Sequence, residues 1–133
     1  MIMGLDIGAD MTKGVLMKGS SIIKAFSTTT EESVASALKV LKVLLEGRQE
    51  AELAISVSGG GSRKIGEKLC NLPIMKVDEL QAIGIGGLTL AGKSEGLIIN
   101  VGTGTAIVAA YNEGRKVTHV GGTGVGGGTL LGL

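Results

Sequence analysis

Short apolar runs separated by polar turns begin the chain. Ile2 to Asp6 is such a run and ends in an acid; after Gly8-Ala9-Asp10, two further runs follow, Gly14 to Met17 and Ile22 to Phe26, separated by Lys18-Gly19-Ser20. Apolar runs of this length, bounded by glycine and small polar residues, are typical of strands joined by tight turns. The pattern predicts three strands, with a hairpin turn between the second and the third.

The period then changes to that of a helix. Apolar residues recur at helical spacing from Val34 to Leu45, and Gly47 follows as a natural C-terminal cap. Thr29 and Glu32 stand three residues apart just before this segment, which fits a capping box. The sequence therefore predicts a helix that begins after an N-cap at Thr29 and ends near Gly47.

Strands and helices alternate in the next part of the chain. Ala54 to Val57 predicts a fourth strand and Leu72 to Met75 a fifth. Between them, Ser62 can cap a short helix that ends at Leu69. Asp78 can cap another helix, which runs to about Ala91.

After Gly92 the opening pattern returns. Three more strands are predicted at Leu97 to Val101, Ala106 to Ala110 and Lys116 to Val120. The order of elements therefore indicates one complete α/β unit and the beginning of a second, similar unit. We expect a first lobe at residues 1–93 and an incomplete second lobe at residues 94–133.

Composition narrows the possible classes of function. Hydrophobic residues make up 44% of the chain but aromatics only 2%, so the core must be aliphatic. The net charge of +1 gives no electrostatic basis for binding nucleic acid or an anionic membrane. Cys70 is the single cysteine, no signal peptide is recognisable and no apolar run is long enough to span a bilayer. These features predict a soluble, cytoplasmic protein.

Two glycine- and threonine-containing turns occupy the same place in the two units. The first, Gly8 to Lys13, follows Asp6, and the second is Gly102-Thr103-Gly104-Thr105. Such turns present backbone N–H groups and hydroxyls without obstruction, as a phosphate chain requires, and an Asp at a strand end can hold hydrated Mg2+. Each turn alone could be an ordinary hairpin turn, but the repetition favours a polyphosphate site gripped from both sides.

These segments resemble the glycine motifs of type II pantothenate kinases, in order and in spacing. The resemblance includes Asp6-Ile7-Gly8 with Lys13, Asn100 to Thr105 and Gly121 to Gly128, and it extends to Ser58-Gly59-Gly60-Gly61 and to Val77-Asp78-Glu79-Leu80. It covers essentially the whole chain. The resemblance implies an α/β fold of the ribonuclease H-like, actin/hexokinase type, with a mixed sheet and helices on both faces.

The resemblance also implies an activity, which is transfer of the γ-phosphoryl group of ATP to pantothenate in the first step towards coenzyme A. Glu79 would be the general base and Asp6 would hold Mg2+. A carboxylate in a first helical turn is also common for reasons of helix dipole alone. The remaining residues that the resemblance implies are, for the nucleotide, Asp6, Gly8, Thr12, Lys13, Gly102, Thr103, Gly104 and Thr105, and, for the substrate, Gly122, Thr123 and Gly124. We also expect a homodimer.

Asp10 departs from the family pattern. It places a second carboxylate where phosphate oxygens are expected, which is unfavourable unless Mg2+ intervenes or the side chain turns away. Thr12 can supply the hydroxyl that the turn lacks. The first turn alone would suit the activator ATPases of acyl-CoA dehydratases about as well, although these normally have cluster-ligating cysteines, which Cys70 alone cannot supply.

Two other motifs and one histidine have simpler explanations. Residues 87–94 match the Walker A pattern, but a helix is predicted before them and a strand after them, the reverse of a P-loop. Gly122 to Gly127 matches a dinucleotide-binding pattern that is weak by itself. His119 is a lone histidine in a predicted strand and Lys93 a cation at a helix end.

The apolar second-lobe strands also bear on how much of a protein this chain is. Strands this apolar are normally covered on both faces, yet the sequence stops at Leu133 before any helix that could cover them. We therefore expect a fragment of a longer kinase that is inactive by itself. A non-catalytic remnant that only binds nucleotide or a protein partner is the remaining alternative.

Overall fold

The computed structural model describes residues 1–48 and 53–132, which form two compact units, Met1–Val77 and Asp78–Leu133. The first unit contains strands β1 (Ile2–Ile7), β2 (Met11–Lys18) and β3 (Ser21–Thr29), helix α1 (Ser33–Leu45), strand β4 (Ala54–Ser58), a 3-10 helix (Gly60–Lys64), and strands β5 (Lys68–Leu69) and β6 (Leu72–Lys76). The second unit contains helix α2 (Glu79–Ala91), strands β7 (Gly96–Val101), β8 (Thr105–Tyr111) and β9 (Lys116–Thr123), and helix α3 (Gly127–Gly132).

The sheet of the first unit is mixed, as predicted. Its strand order is β3-β2-β1-β4-β6-β5, in which β1 is antiparallel to β2 but parallel to β4, and β4 is parallel to β6. Strands β1, β4 and β6 therefore run in one direction. As a result their carboxyl ends lie at the same edge of the sheet, where ligand sites of α/β sheets commonly form.

Helix α1 packs against one face of this sheet. Alternate residues of β1 are buried beneath it, and a Cβ added to Gly14 on β2 would lie 2.5 Å from Val40 Cγ1 and 2.9 Å from Leu44 Cδ1. The lack of a side chain at Gly14 thus lets the helix approach the sheet closely. The core is aliphatic, as composition predicts, with Met3, Leu5, Ile7, Leu16, Val40, Leu41, Leu44, Ile55 and Val57 among its buried residues.

Glu32 caps the N-terminus of α1 by itself, which corrects the predicted capping box. Its carboxylate accepts hydrogen bonds from Val34 N at 3.0 Å and Ala35 N at 2.7 Å, while Thr29 still belongs to β3. The bond from Val34 N, followed by that from Ala35 N and by the charge of Lys64, lowers the pKa of Glu32. Gly47 follows the helix with a φ of 73°, as its prediction as a C-terminal cap requires.

The predicted helix between Ser62 and Leu69 is much shorter than expected. Only a 3-10 helix forms, from Gly60 to Lys64, and Gly59 rather than Ser62 precedes it as N-cap. The chain then turns through Cys70 and Asn71, both at positive φ, so that Lys68–Leu69 pairs with β6. The short hairpin satisfies backbone groups that a longer helix would otherwise have bonded internally.

In the second unit, α2 packs on the antiparallel sheet β7-β8-β9. A Cβ on Gly84 would lie 2.8 Å from Val117 Cγ2, and one on Gly87 would lie 2.6 Å from Ile98 Cγ1, so both glycines permit this packing. Asp78 caps the helix by accepting a bond from Gln81 N at 3.0 Å, as predicted. The contacts of α2 place it with the second unit, whereas the predicted boundary at residues 93 and 94 assigns it to the first lobe.

Apolar side chains remain exposed on β7 and β9 of the second unit. Leu97, Ile99 and Val101 on β7 are 61–65% exposed, and Val120 on β9 is 59% exposed. We call these four residues the exposed strand face. The helices within residues 1–48 and 53–132 are all too short, or too polar, to cross a lipid bilayer.

Candidate functional site

Asp6 and Lys13 occupy the face of the first sheet opposite α1. Met3, Leu5 and Ile7 of β1 are buried beneath the helix, so Asp6 projects to the other face, where Lys13 is its cross-strand neighbour on β2. Asp6 is half-buried and Lys13 is exposed. The structure thus brings together a carboxylate and an ammonium that the sequence predicts in a nucleotide site.

The last residue of β4 and the glycine after it hold the carboxylate of Asp6. Ser58 Oγ donates a hydrogen bond to Asp6 Oδ1 at 3.3 Å. Gly59 has a φ of 85°, and a Cβ there would lie 2.7 Å from Asp6 Oδ1 and 2.5 Å from Ile7 O. Sequence reasoning singled out this segment for its resemblance but gave it no role, because only the parallel pairing of β1 with β4 places Ser58 beside Asp6.

Thr12 lies apart from these residues. It is fully buried, on the α1 face of β2, and its hydroxyl shares a hydrogen bond with Thr30 Oγ1 at 2.8 Å. To contact a phosphate it would have to leave the interior. Its predicted part in nucleotide binding is therefore not supported by its position.

The first turn also carries the carboxylate that departs from the family pattern. Asp10 Oδ2 is buried and makes no hydrogen bond among the described residues, while Asp10 O accepts one from Thr30 N at 2.8 Å. Carboxylate oxygens such as those of Asp10 and Asp6 are hard metal ligands, and Mg2+ prefers hard oxygen ligands. The donor chemistry of the turn therefore fits Mg2+, although no three acidic, histidine or cysteine side chains cluster within residues 1–48 and 53–132.

In the second unit, two glycine segments meet at one edge of the sheet. Because β7 and β9 are both antiparallel to β8, which lies between them, their carboxyl ends lie at the same edge of the sheet, on either side of the start of β8, and lead into Gly102–Gly104 and Gly124–Gly126. We call Gly102–Gly104 the nucleotide loop and Gly124–Gly126 the acceptor loop, after the roles that the sequence predicts for residues 102–105 and 122–124. The topology alone therefore joins the residues predicted for the nucleotide, from Gly102 to Thr105, and for the substrate, from Gly122 to Gly124.

The nucleotide loop is bonded through its backbone to the chain that follows the acceptor loop. Gly127 N donates to Gly102 O at 2.7 Å and Gly128 N donates to Thr103 O at 3.0 Å. Gly102 N is itself bonded to Gly104 O at 2.8 Å. The nucleotide loop is thus closed on itself and fixed to the chain that follows the acceptor loop.

The glycines of these loops divide into two groups by their surroundings. A Cβ on Gly104, Gly122 or Gly126 would lie within 2.5–2.8 Å of a backbone oxygen, so internal packing already requires glycine there. A Cβ on Gly124 would have no neighbour within 4 Å, and one on Gly102 would make contacts only at 3.9 Å. Packing does not explain these two glycines, whereas close approach of a ligand to the backbone does.

Glu79 is exposed at the first position of α2, directly after its cap Asp78. Gln81 Nε2 donates to Gly114 O at 3.3 Å, in the turn between β8 and β9. That turn lies at the sheet edge opposite the nucleotide loop, so Glu79 and Gly102–Gly104 do not meet within the second unit. Along the chain, Glu79 comes three residues after the end of β6.

The residues given simpler explanations from the sequence keep them. The Walker A match begins inside α2, which ends at Ala91 with Gly92 as its left-handed cap, and a strand follows. This order is the reverse of a P-loop. His119 is exposed on β9. Cys70, which the sequence predicts to be a small buried residue, is instead exposed in the turn before β6.

The chain is similar over nearly its whole length to known proteins. No family model matches the chain. Over 98% of its length it is 32% identical to a type II pantothenate kinase of Oceanobacillus iheyensis and 28% identical to one of Bacillus cereus. In both cases it covers 46% of the relative, so the chain spans about half the length of the curated relatives it matches.

Solved structures with low sequence identity share the fold. An activator of 2-hydroxyisocaproyl-CoA dehydratase from Clostridium difficile, with bound ADPNP, matches 89% of this chain and 44% of its own at 22% identity, with a TM-score of 0.73. A putative N-acetylglucosamine kinase from Porphyromonas gingivalis matches 92% of this chain and 47% of its own at 17% identity, with a TM-score of 0.56. The chain therefore has the actin/hexokinase-like fold, and its sequence is similar to those of type II pantothenate kinases.

Proposed function

We propose that the protein carrying this sequence is a kinase that transfers the γ-phosphoryl group of ATP to a hydroxyl of pantothenate. The observation that carries the proposal is the common edge at which β1, β4 and β6 end. Asp6 lies near the end of β1 and Ser58 is the last residue of β4, so this edge holds two side chains that are hydrogen-bonded to each other. Similarity over nearly the whole chain to proteins named as type II pantothenate kinases supports pantothenate as the acceptor.

Each side chain of the first unit has a distinct part in this proposal. Mg2+, when bound, would neutralise charge on the phosphate oxygens, and Asp6, held by Ser58, would bind it through its free carboxylate oxygen or through bound water. Lys13, exposed on the same face, would place a positive charge beside the phosphates. The carboxylate of Asp10 would be compensated by the same cation.

Glu79 would act on the acceptor. Its carboxylate, at the N-terminus of a 13-residue helix, is favoured in the ionised form that a base needs. As the acceptor hydroxyl oxygen bonds to the γ-phosphorus, the bond from that phosphorus to the bridging oxygen breaks. The hydroxyl proton passes to Glu79, and ADP leaves with the electron pair of the broken bond.

The second unit would supply backbone surfaces. Gly102 and Gly124, the two loop glycines without close internal neighbours, mark where a ligand can approach the chain. Following the roles predicted from the sequence, the nucleotide loop would face the phosphates of ATP. The acceptor loop would then face pantothenate.

A steady-state kinase assay on the complete polypeptide that carries this sequence tests the proposal. We expect ADP release that depends on both ATP and pantothenate. Glu79→Gln should lower kcat by about two orders of magnitude or more, because the proton acceptor is lost, with ATP binding nearly unchanged. Glu95→Gln, at an exposed position just before β7, is the matched control and should leave kcat unchanged.

The same assay separates the proposal from the dehydratase-activator alternative. An activator would release ADP without pantothenate. Unchanged turnover in Glu79→Gln would remove Glu79 from the mechanism, and nucleotide binding without any turnover would favour a non-catalytic protein. Cys70 is the single cysteine in these 133 residues and is exposed in a tight turn, so these residues alone do not supply the several cysteines that ligate a cluster.

A further inference from the structure

Three threonine hydroxyls hold the acceptor loop. Thr105 Oγ1 donates to Val125 O at 2.8 Å, Val125 N donates to Thr123 Oγ1 at 3.2 Å, and Gly126 N donates to Thr129 Oγ1 at 3.1 Å. The bond from Thr105 spans 20 residues, whereas the other two are local. Thr105 is therefore the one of the three that ties the acceptor loop to another part of the chain.

Thr105 is also the residue that directly follows the nucleotide loop. It is half-buried at the start of β8, and it pairs with Thr123 across the sheet. Its hydroxyl proton is committed to Val125 O. The family resemblance places Thr105 among the nucleotide-binding residues. In this arrangement, however, the Thr105 hydroxyl proton that a phosphate would accept is already donated to Val125 O.

We infer that Thr105 is a positioning residue that holds the acceptor loop in register with the nucleotide loop. Gly124, the open glycine of the acceptor loop, is the immediate neighbour of Val125. Fixing the Val125 carbonyl therefore fixes the backbone that faces the acceptor. This inference rests on the proposed function and adds to it that Thr105 governs acceptor binding and not nucleotide binding.

The test compares Thr105→Val, which cannot donate, with Thr105→Ser, which keeps the hydroxyl, in the complete polypeptide. We expect Thr105→Val to raise KM for the acceptor by about threefold to tenfold, the effect of losing one hydrogen bond, and Thr105→Ser to restore it. The dissociation constant for ATP, measured without acceptor, should change less than about twofold, since no phosphate contact is removed. Thr118→Val, at an exposed position on β9, is the control and should change neither constant.

Two results would overturn the inference. Weaker ATP binding with an unchanged acceptor KM would make Thr105 a phosphate ligand, and no change in either constant would show that the bond to Val125 has no role. If Thr105→Val does not fold, Thr129→Val removes another hydroxyl that holds the same loop and should raise the acceptor KM in the same way.

Hydrogen exchange keeps the inference separate from the proposed activity. If the unmodified protein does not phosphorylate pantothenate, the proposed function fails, but the loop can still be examined. Amide exchange in a peptide covering residues 121–129 should be faster in Thr105→Val than in the unmodified protein and in Thr105→Ser. Equal exchange in all three would contradict the positioning role whatever the substrate.

Discussion

At the scale of single residues, glycine has two different uses in this protein. Gly126 is enclosed, since a Cβ there would lie 2.7 Å from the carbonyl oxygens of Gly104 and Thr103. Gly124, two positions earlier, has no neighbour within 4 Å of its Cβ position. The first glycine is explained by packing, whereas internal packing gives no reason for the second.

The two glycines should therefore respond differently to alanine. Gly126→Ala should lower the free energy of unfolding by about 1–3 kcal/mol, because the added methyl group overpacks a backbone contact. Gly124→Ala should leave stability nearly unchanged but raise KM for the acceptor. Urea unfolding and kinase kinetics on both variants check this, and a destabilised Gly124→Ala would mean that packing explains that glycine as well.

At the scale of elements, helix termini decide several local structures. The carboxylate of Glu32 takes up two orphan N–H groups of α1, and Asp78 takes up one of α2. At the other end of α2, Gly92 adopts a left-handed conformation, with a φ of 62°, that closes the helix before β7. These caps set where each helix begins and ends.

The Glu32 cap should make the stability of the first unit depend on pH. Its pKa is lower folded than unfolded, so it stabilises the fold above its ordinary pKa of about 4.3, and this contribution is lost as pH falls through the lowered value. The free energy of unfolding of Glu32→Gln should therefore fall less between neutral and acidic pH than that of the unmodified protein. Urea unfolding at several pH values checks this, with Glu67→Gln, at an exposed position, as control; identical pH profiles for all three proteins would contradict it.

The position of Lys93 after α2 gives a second test at this scale. Lys93 lies beyond the cap Gly92, and its amide bonds to Leu88 O at 3.0 Å, as in a helix end and not as in a phosphate loop. Lys93→Ala should barely change nucleotide binding, whereas Asp6→Asn should weaken it. Isothermal titration with ATP and Mg2+ compares the two, and an equal loss in both variants would restore the P-loop interpretation.

At the scale of the whole molecule, the exposed strand face is the feature to explain. Leu97, Ile99, Val101 and Val120 are about two-thirds exposed, and contiguous apolar surface of this kind usually marks an interaction site. The chain also spans about half the length of the relatives that it matches. Burial of this face against other protein surface, whether in a second copy or elsewhere in a longer polypeptide, would be favourable.

We expect the 133-residue chain, purified by itself, to self-associate through the exposed strand face. Ile99→Lys should reduce this association, because it places a charge in the centre of the face. Ile22→Lys, at a similarly exposed position on β3, should not. Light scattering over a range of concentrations measures the effect, and a monomeric chain at all concentrations would contradict the expectation.

Much of the fold follows from local pattern, because strands, helices and turns of this kind depend on neighbouring residues. The apolar run of β1, the helical spacing of α1 and the cap at Asp78 are visible without a structure, and so are the two glycine turns. The resemblance carried by those turns also predicted the superfamily. Local pattern was misleading where two options were close in energy, as between Ser62 and Leu69, where hairpin pairing with β6 replaced a helix.

Only the tertiary structure decided which residues meet. Ser58 reaches Asp6 across 52 residues because β1 and β4 pair in parallel, and Thr105 reaches Val125 because β8 begins beside the end of β9. The tertiary structure also buried Thr12 against Thr30, although the sequence suggested an exposed hydroxyl. Sequence spacing determines the face of a strand on which a side chain lies, but strand order and register determine its partner.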